Sequence, residues 1–267
     1  MIRTREHRDT DTVKKLRSEI IQASAYAGEG HVPSALSVLD ILWVLYDRVL
    51  TTYPDSPDHP DRDRFILSKG HASLGLYAVL AEKGFFDKSL MNSFGSYASI
   101  LGGHPDRNKV PGVEASTGSL GHGFPMSVGV ALALKIKKSS SRVFTVVGDG
   151  ECNEGSVWEA ALLAAHRDLN NLVCIVDYNH STDRALTVGD LAGKFEQFRW
   201  ETREVDGHDH EEIFDACRGV PLQRPLAIIA KTTKGNGCRI MENNPAWHHR
   251  APTKKELASI LEDLDKQ

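Results

Sequence analysis

The feature that most constrains the fold is a series of short apolar runs separated by stretches with helical spacing. Runs at 143–147, 172–177 and 226–231 have the length and composition of buried strands, with weaker candidates at 201–205 and 65–67. Helical patterns occupy 13–27, 35–50, 155–169, 210–218 and 254–267. This alternation predicts an α/β fold, a mostly parallel sheet with helices on both faces. Ligands of such folds bind at the carboxyl ends of the strands, so we look for chemistry after residues 147, 177 and 231.

Composition narrows the class of protein. The 267 residues suffice for a substantial core, and loop-like breaks at 52–63, 102–113 and 236–250 read as interruptions within one domain, 1–267. A formal net charge of -4 gives no reason to expect nucleic acid. The four cysteines form no CxxC pair, and neither a signal-like start nor an apolar membrane-length run is present, so we expect a cytoplasmic protein that does not enter a membrane.

Polar residues follow two of the predicted strands. Gly148-Asp149-Gly150 comes directly after the first, and Asn179 comes after the second. Glycine lets backbone amides approach a phosphate, and carboxylate and amide oxygens suit Mg²⁺, which often shares its coordination with phosphates. Gly-Asp-Gly alone is an ordinary turn. Together with an asparagine at the next strand tip, it favours a site for a magnesium-bound diphosphate.

Two competing phosphate motifs fail on their spacing. A dinucleotide fingerprint that begins at Gly148 needs a glycine at position 153, where this chain has Asn153. A P-loop needs a lysine after Gly155, where the chain has Ser156. Positions 235–237 likewise lack the third glycine at 240. The sequence therefore supports neither NAD nor ATP.

The run GDGECNEGSVWEAALLAAHRDLNNLVCIVDYN resembles the thiamine diphosphate motif, which opens with GDG and closes with asparagine about thirty residues later. Its ECNEG and VWEA elements are similar to transketolases rather than to other users of this cofactor. Further similarity spans almost the whole chain, in EGHVPSALSVLDIL, RFILSKGHASLGLYAVL, GGHPDRNKVPGVEASTGSLGHG, EVDGHDH, AIIAKTTKG and MENNPAWHHRAPTKKEL. The resemblance implies a thiamine diphosphate-binding fold, with thiamine diphosphate and Mg²⁺ as cofactors.

The resemblance also implies a role for particular residues. Asp149, Asn179 and the backbone carbonyl of Ser181 would hold Mg²⁺. The residues that would bind the cofactor are His71, Gly118, Leu120, Gly148, Asp149, Gly150, Asn179 and His248. Three histidines match positions that face cofactor and substrate, where they bind oxygens or move protons: His31, His104 and His248.

Considered without the resemblance, the twelve histidines carry less information, because many in any chain lie at the surface or in the core. Those at 31, 71 and 104 differ, since each sits beside glycine in a loop or helix start from which a side chain can reach a ligand. Imidazole can donate, accept and shuttle protons near neutral pH. We assign no role to His249, leave His208 open, and expect residues 206–209 to cap a helix. Cys152 reads as a small filler rather than a nucleophile.

Family transketolases have three domains, and this sequence corresponds to the first. The resemblance therefore implies that the pyrimidine-binding and C-terminal domains, with the glutamate that activates the cofactor, lie on a separate chain. We expect an α2β2 assembly, a heterotetramer of two such chains with two partner chains. It would transfer a two-carbon ketol unit from a ketose phosphate to an aldehyde or a specialised acceptor.

Three departures from the family pattern bear on the substrate. His122 stands where glutamine is usual, Arg199 where glycine is usual, and His180–Arg184 replaces the familiar residues after the metal asparagine. Alternatives therefore stay open: a deoxyxylulose-phosphate synthase-like enzyme, ketol transfer to a lipoyl or acyl carrier, or a non-catalytic subunit that binds the cofactor. A metal-dependent hydrolase is the most distant alternative.

Overall fold

The computed structural model describes residues 5–183, 185–218 and 223–266, so Arg184 and Gln267 lie outside the described residues. Its centre is a sheet of five strands, β1 (Arg64–Leu67), β2 (Val143–Gly148), β3 (Leu172–Tyr178), β4 (Glu201–Asp206) and β5 (Leu226–Lys231). The strands are ordered β1-β2-β3-β5-β4, and every neighbouring pair is parallel. The expected α/β fold with a mostly parallel sheet is confirmed.

Eight α-helices surround the sheet in the described residues: α1 (Arg5–Ala27), α2 (Val32–Val44), α3 (Ser73–Glu82), α4 (Gly123–Ile136), α5 (Gly155–His166), α6 (Leu191–Gln197), α7 (His210–Cys217) and α8 (Lys254–Asp265). One π-helical turn, Leu45–Val49, continues α2, and 3₁₀ turns occupy Gly70–Ala72, Lys88–Ser93, Gly150–Asn153 and Pro245–Trp247. In the part of the chain that the structure describes, no helix is both long and apolar enough to cross a membrane.

The sheet separates two apolar cores because successive side chains of a strand point to opposite faces. In β3, Val173 and Ile175 join the core formed with α1, α2, α3, α7 and α8. Leu172, Cys174 and Val176 join the core formed with α4, α5 and α6. Burial on both faces explains why this strand is a continuous apolar run rather than an alternating one.

The strand order places a crevice at the carboxyl edge of the sheet. The chain proceeds from β1 through β3 in one direction, passes over to β4, and then returns to insert β5 beside β3. Helix α6, which follows β3, packs on one face, and α8, which follows β5, packs on the other. Loops that leave β3 and β5 therefore diverge to opposite faces, which is the position where open α/β sheets bind ligands.

The predicted strands are all present, but the helices were predicted less completely. Helix α1 begins eight residues before the predicted start, and α3, α4 and α6 were not predicted. Residues 73–81 of α3 are all buried, so no polar face marks the helical period. The N-cap of α7 is Asp209, which accepts hydrogen bonds from the amides of Glu211 and Glu212, as expected for residues 206–209.

Candidate active site

The floor of the crevice is a buried carboxylate, Asp177, near the end of β3. Its Oδ2 accepts hydrogen bonds from Ser37 Oγ at 2.7 Å and Asn179 Nδ2 at 2.8 Å, and it pairs with the buried ammonium of Lys69. Thr232, just after β5, donates to its Oδ1. Burial alone would raise the pKa of Asp177, but Lys69 and these donors hold it below its ordinary value. Asp177 therefore joins the segments after β1, β3 and β5 and helix α2.

Above this floor, Asp149 and Asn179 converge on one backbone amide. The N–H of Ser181 lies 2.9 Å from Asp149 Oδ2 and 3.1 Å from Asn179 Oδ1. Gly150 N–H donates to Asp149 Oδ1 at 2.7 Å. Asp149 is 1% exposed, and burial together with the nearby negative charge of Asp177 raises the pKa of its carboxyl. A carboxylate and an amide oxygen thus meet at the tips of β2 and β3, where a bound cation would relieve the repulsion between the two acids.

A third buried carboxylate, Glu151, fixes the loops around Asp149 and Asn179. It accepts a hydrogen bond from the hydroxyl of Ser68, and from the N–H groups of Gly121 at 2.9 Å and Gly148 at 3.3 Å. Burial raises the pKa of its carboxyl. Sequence reasoning gave this residue no role. It ties together the ends of β1 and β2 and the loop before α4.

Five histidines meet beside the crevice, and they come from four separate segments. The ring centroid of His31 lies 5.3 Å from that of His71, 6.4 Å from His104, 5.5 Å from His248 and 4.4 Å from His249. The four histidines predicted as site residues are therefore brought together by the fold. His249, to which the sequence assigned no role, is solvent-exposed as expected but also packs against His31.

Three of these histidines, His31, His71 and His248, have lowered pKa values, which favours their neutral form. Burial, followed by repulsion from neighbouring histidines, lowers the pKa of His31 to about 4. Burial and the nearby Lys69 lower that of His71 to about 2. The pKa of His248 is also lowered, first by burial and then by Lys234. A neutral imidazole offers one donor and one acceptor, which suits binding of hydroxyl and carbonyl groups and proton transfer between them.

Besides Lys69, the site contains a second cation to which sequence reasoning gave no role. Lys234 follows β5, and its Nζ lies 3.0 Å from His248 Nδ1. Burial and repulsion from Lys69 lower the pKa of this lysine to about 8. Together with Asn179 and Ser181 it lines a cavity of ≈ 320 Å³. The sequence signal that could have identified Lys234 is its position in the loop directly after a predicted strand, since ligands of such folds bind at these loops.

Glycines allow two loops of the site to approach each other. A Cβ at Gly70 would lie 2.7 Å from the backbone nitrogen of Gly118, and one at Gly118 would lie 3.0 Å from the His104 ring. His71 follows the first glycine, and half-buried Leu120 follows the second, with its carbonyl 3.0 Å from the Nδ1 of His122. Gly118, one of the predicted cofactor-binding residues, therefore lies against the histidine cluster.

The three departures from the family pattern lie in different places. His122 is exposed beside the site at the start of α4, and His180 is exposed directly after Asn179, 2.8 Å from Asp183. Arg199 lies in the turn before β4, at the end of the sheet opposite the crevice. Its φ of 67° is in the left-handed region, which explains a preference for glycine there. The Arg199 departure thus concerns a turn and not the substrate.

Fold and site together define an α/β domain with a ligand site at the switch point of a parallel sheet. The chain belongs to the transketolase family: residues 8–265 match the domain described as "Transketolase, thiamine diphosphate binding domain". It is therefore a transketolase-type N-terminal subunit or domain of the thiamine diphosphate-binding class.

Relatives of two lengths are similar to this chain. It is 40% identical over 259 residues to one of the subunits of an apulose-4-phosphate transketolase from Actinobacillus succinogenes, covering 94% of each chain. It is 34% identical over 264 residues to a 6-deoxy-6-sulfo-D-fructose transketolase subunit of Clostridium sp., covering 96% of this chain and 95% of that one. The crystal structure of a transketolase variant from Pichia stipitis superposes with a TM-score of 0.88 at 29% identity, over 97% of this chain but 40% of that one. The chain thus spans about two fifths of the length of that transketolase.

Proposed function

We propose that this chain is the diphosphate-binding subunit of a two-chain transketolase that uses thiamine diphosphate and Mg²⁺. The observation that carries the proposal is the convergence of Asp149 and Asn179 on Ser181, at a cavity that Asn179 and Ser181 line together with His248. Both relatives that this chain covers almost fully are named as transketolase subunits. Their names refer to phosphorylated or sulfonated sugars, and an anionic ketose is the donor class that we propose here.

The donor set fits magnesium. Asp149 Oδ, Asn179 Oδ1 and the backbone carbonyl of Ser181 are hard oxygen ligands, and diphosphate oxygens and water would complete an octahedron. Among residues 5–183, 185–218 and 223–266, no three His, Cys, Asp or Glu side chains are gathered as metal ligands. A cation at Asp149 would therefore depend on the diphosphate for part of its coordination. Burial and the nearby Asp177 raise the pKa of Asp149, and a bound cation would oppose that rise by stabilising the carboxylate.

The remaining residues of the site divide into two groups. Gly148, Gly150, His71 and Lys234 are the groups that would hold the diphosphate, and Gly118 and Leu120 would line the cofactor rings. His31, His104 and His248 would bind substrate hydroxyls and move protons, since burial keeps His31 neutral. Bound thiamine diphosphate supplies the electron sink for cleavage and formation of the carbon–carbon bond, and the chain supplies binding, orientation and proton handling.

The partner is the chain that carries the pyrimidine-binding and C-terminal domains, and we propose an α2β2 assembly. The test is to assay this chain alone and co-expressed with a pyrimidine-binding chain from the same genome. Turnover of a ketose phosphate with an aldose phosphate is expected only when both chains, thiamine diphosphate and Mg²⁺ are present. Turnover by this chain alone would contradict the proposal that the active site is divided between two chains. Turnover only with added pyruvate would indicate a deoxyxylulose-phosphate synthase-like enzyme instead.

The metal assignment is tested within the same complex by Asp149→Ala, with Glu154→Ala as the control. Both changes remove a carboxylate from the loop after β2, but Glu154 is exposed and makes no capping hydrogen bond. We expect Asp149→Ala to weaken Mg²⁺-dependent cofactor binding by about 100-fold or more, and Glu154→Ala to leave it unchanged. Isothermal titration gives the affinities, and thermal unfolding without cofactor checks that each variant folds. Normal affinity in a folded Asp149→Ala complex would refute the assignment.

A further inference from the structure

A fourth buried carboxylate lies outside the proposed cofactor site. Asp40, on α2, is 5% exposed. Its Oδ2 lies 2.9 Å from His208 Nδ1, and its Oδ1 lies 2.9 Å from His210 Nε2. Asn236 Nδ2 is 3.3 Å from Oδ2, and the guanidinium of Arg17 is 3.9 Å away. Two histidines, one just before α7 and one at its first residue, therefore share one carboxylate. Substitutions of the two can be compared directly.

Of the two histidines, His208 also makes a hydrogen bond to the loop after β5. The backbone N–H of Thr233 donates to His208 Nε2 at 2.8 Å. A ring nitrogen that accepts a hydrogen bond carries no proton, so the proton of the neutral ring is on Nδ1 and points to Asp40. Asn236, which is also near Nδ1, must then donate to the carboxylate. The result is an ordered chain from Asp40 through His208 to the backbone of Thr233.

Thr233 lies in the loop that delivers Lys234 to the site. On one side, the N–H of Thr232 donates to Tyr178 O at 3.1 Å; on the other, that of Gly235 donates to Pro33 O at 3.0 Å. The bond to His208 fixes the residue between them. The next side chain along, Lys234, lies 3.0 Å from His248. Loss of the acceptor would leave the Thr233 amide without its partner and free the peptide that orients Lys234.

We propose that His208 is a positioning residue: held by Asp40, it fixes the 232–234 loop and thereby sets Lys234 for binding of an anionic group. The site where Lys234 acts is that of the proposed function, on which this inference rests. His208 touches no group of the histidine cluster. It acts through one backbone hydrogen bond, as a buried partner that orients a ligand-binding residue does in other enzymes.

The test compares three variants of the complex with the partner chain. His208→Asn keeps a donor toward Asp40 but lacks an acceptor that reaches Thr233, whereas His208→Gln places an amide oxygen near the former Nε2. His210→Asn is the matched control, because it makes the same substitution on the same carboxylate without touching the loop. Two quantities are measured: amide hydrogen exchange of the 231–236 segment, and the dissociation constant for thiamine diphosphate with Mg²⁺.

We expect His208→Asn to exchange about tenfold faster at Thr233 and to bind the cofactor about tenfold more weakly. His208→Gln and His210→Asn should stay within about threefold of wild type in both quantities. Unchanged exchange in His208→Asn, or faster exchange with unchanged affinity, would overturn the inference. Equal effects of His210→Asn would also overturn it, because they would indicate general loosening around Asp40. The difference in hydrogen exchange between His208→Asn and His210→Asn does not depend on the cofactor. Failure of wild type to bind thiamine diphosphate would therefore overturn the proposed function but not the role of His208 in holding the loop.

Discussion

At the scale of single residues, four buried carboxylates differ in what compensates their charge. Asp177 lies against Lys69, and Asp40 lies against two histidines. Despite burial, these partners hold the pKa values of both carboxyls below the ordinary range. Asp149 and Glu151 accept hydrogen bonds but form no ion pair with another described residue, and burial raises their pKa values. The first two therefore act as structural anchors, while Asp149 is the one whose charge a bound cation would stabilise.

The Asp40 pair predicts how stability depends on pH. Burial alone would lower the pKa of His210, but the hydrogen bond to Asp40 raises it above its ordinary value of about 6.5. Stability from this pair is fully present below about pH 6.5 and is lost as the pH rises through the raised value. Asp40 stays ionised throughout, because its own pKa lies far lower. The free energy of unfolding of wild type should therefore exceed that of His210→Gln by more at pH 6 than at pH 9.

Urea unfolding of both proteins across this pH range measures the difference. His166→Gln, the same substitution at an exposed histidine on α5, is the control. A difference between wild type and His210→Gln that is constant from pH 6 to pH 9 would show that the pair contributes no pH-dependent stability.

At the scale of elements, α4 contains two glycines in contrasting surroundings. A Cβ at Gly123, the first residue, would lie 2.6 Å from Ser68 Cα, so the helix start can approach the end of β1 only with glycine. Gly129, in the same helix, is exposed and has no atom within 4 Å of the Cβ position. The first glycine brings the loop before α4 to Glu151, whereas the second has no packing reason in this chain.

The same substitution at these two positions should have opposite effects. Gly123→Ala forces the backbone of α4 away from Ser68 and should lower the free energy of unfolding by about 1–3 kcal/mol. Gly129→Ala reduces the freedom of the unfolded chain and should raise it by about 0.5–1 kcal/mol. Urea unfolding of the isolated chain measures both. A Gly123→Ala variant as stable as Gly129→Ala would mean that α4 does not approach β1 as the structure shows.

At the scale of the whole molecule, the four cysteines report on the integrity of both cores. All four are free and buried, at positions 152, 174, 217 and 238. Burial raises the pKa of Cys217 to about 12 and that of Cys238 to about 11, and it raises those of Cys152 and Cys174 as well. A thiol needs exposure and a thiolate fraction to react. The interpretation of Cys152 as a filler rather than a nucleophile accords with this burial.

We therefore expect no thiol of the folded chain to react rapidly with an aromatic disulfide reagent at pH 8. In increasing urea, the rate should rise together with the loss of secondary structure measured by circular dichroism. Cys→Ser variants identify the reacting position if one is fast. A rapidly reacting thiol in the native protein would reveal local opening of the core that contains it.

Much of the fold follows from local pattern. The strand runs are apolar because both faces of the sheet are covered, so β2, β3 and β5 could be placed from the sequence. Helices α3 and α4 were missed, because α3 is buried almost all round and α4 is rich in small residues, so neither shows a clear polar face. Local periodicity thus fails where an element is surrounded by protein.

The sequence by itself determined the parallel sheet, the Gly148–Gly150 loop and the asparagine after β3, because each depends on residues close together in the chain. Only the tertiary structure decided what meets at the crevice: the Lys69–Asp177 pair, Lys234 beside His248, and the packing of His249 on His31. The physical reason is strand order. The insertion of β5 between β3 and β4 brings distant loops to one edge of the sheet, and no local pattern encodes that order.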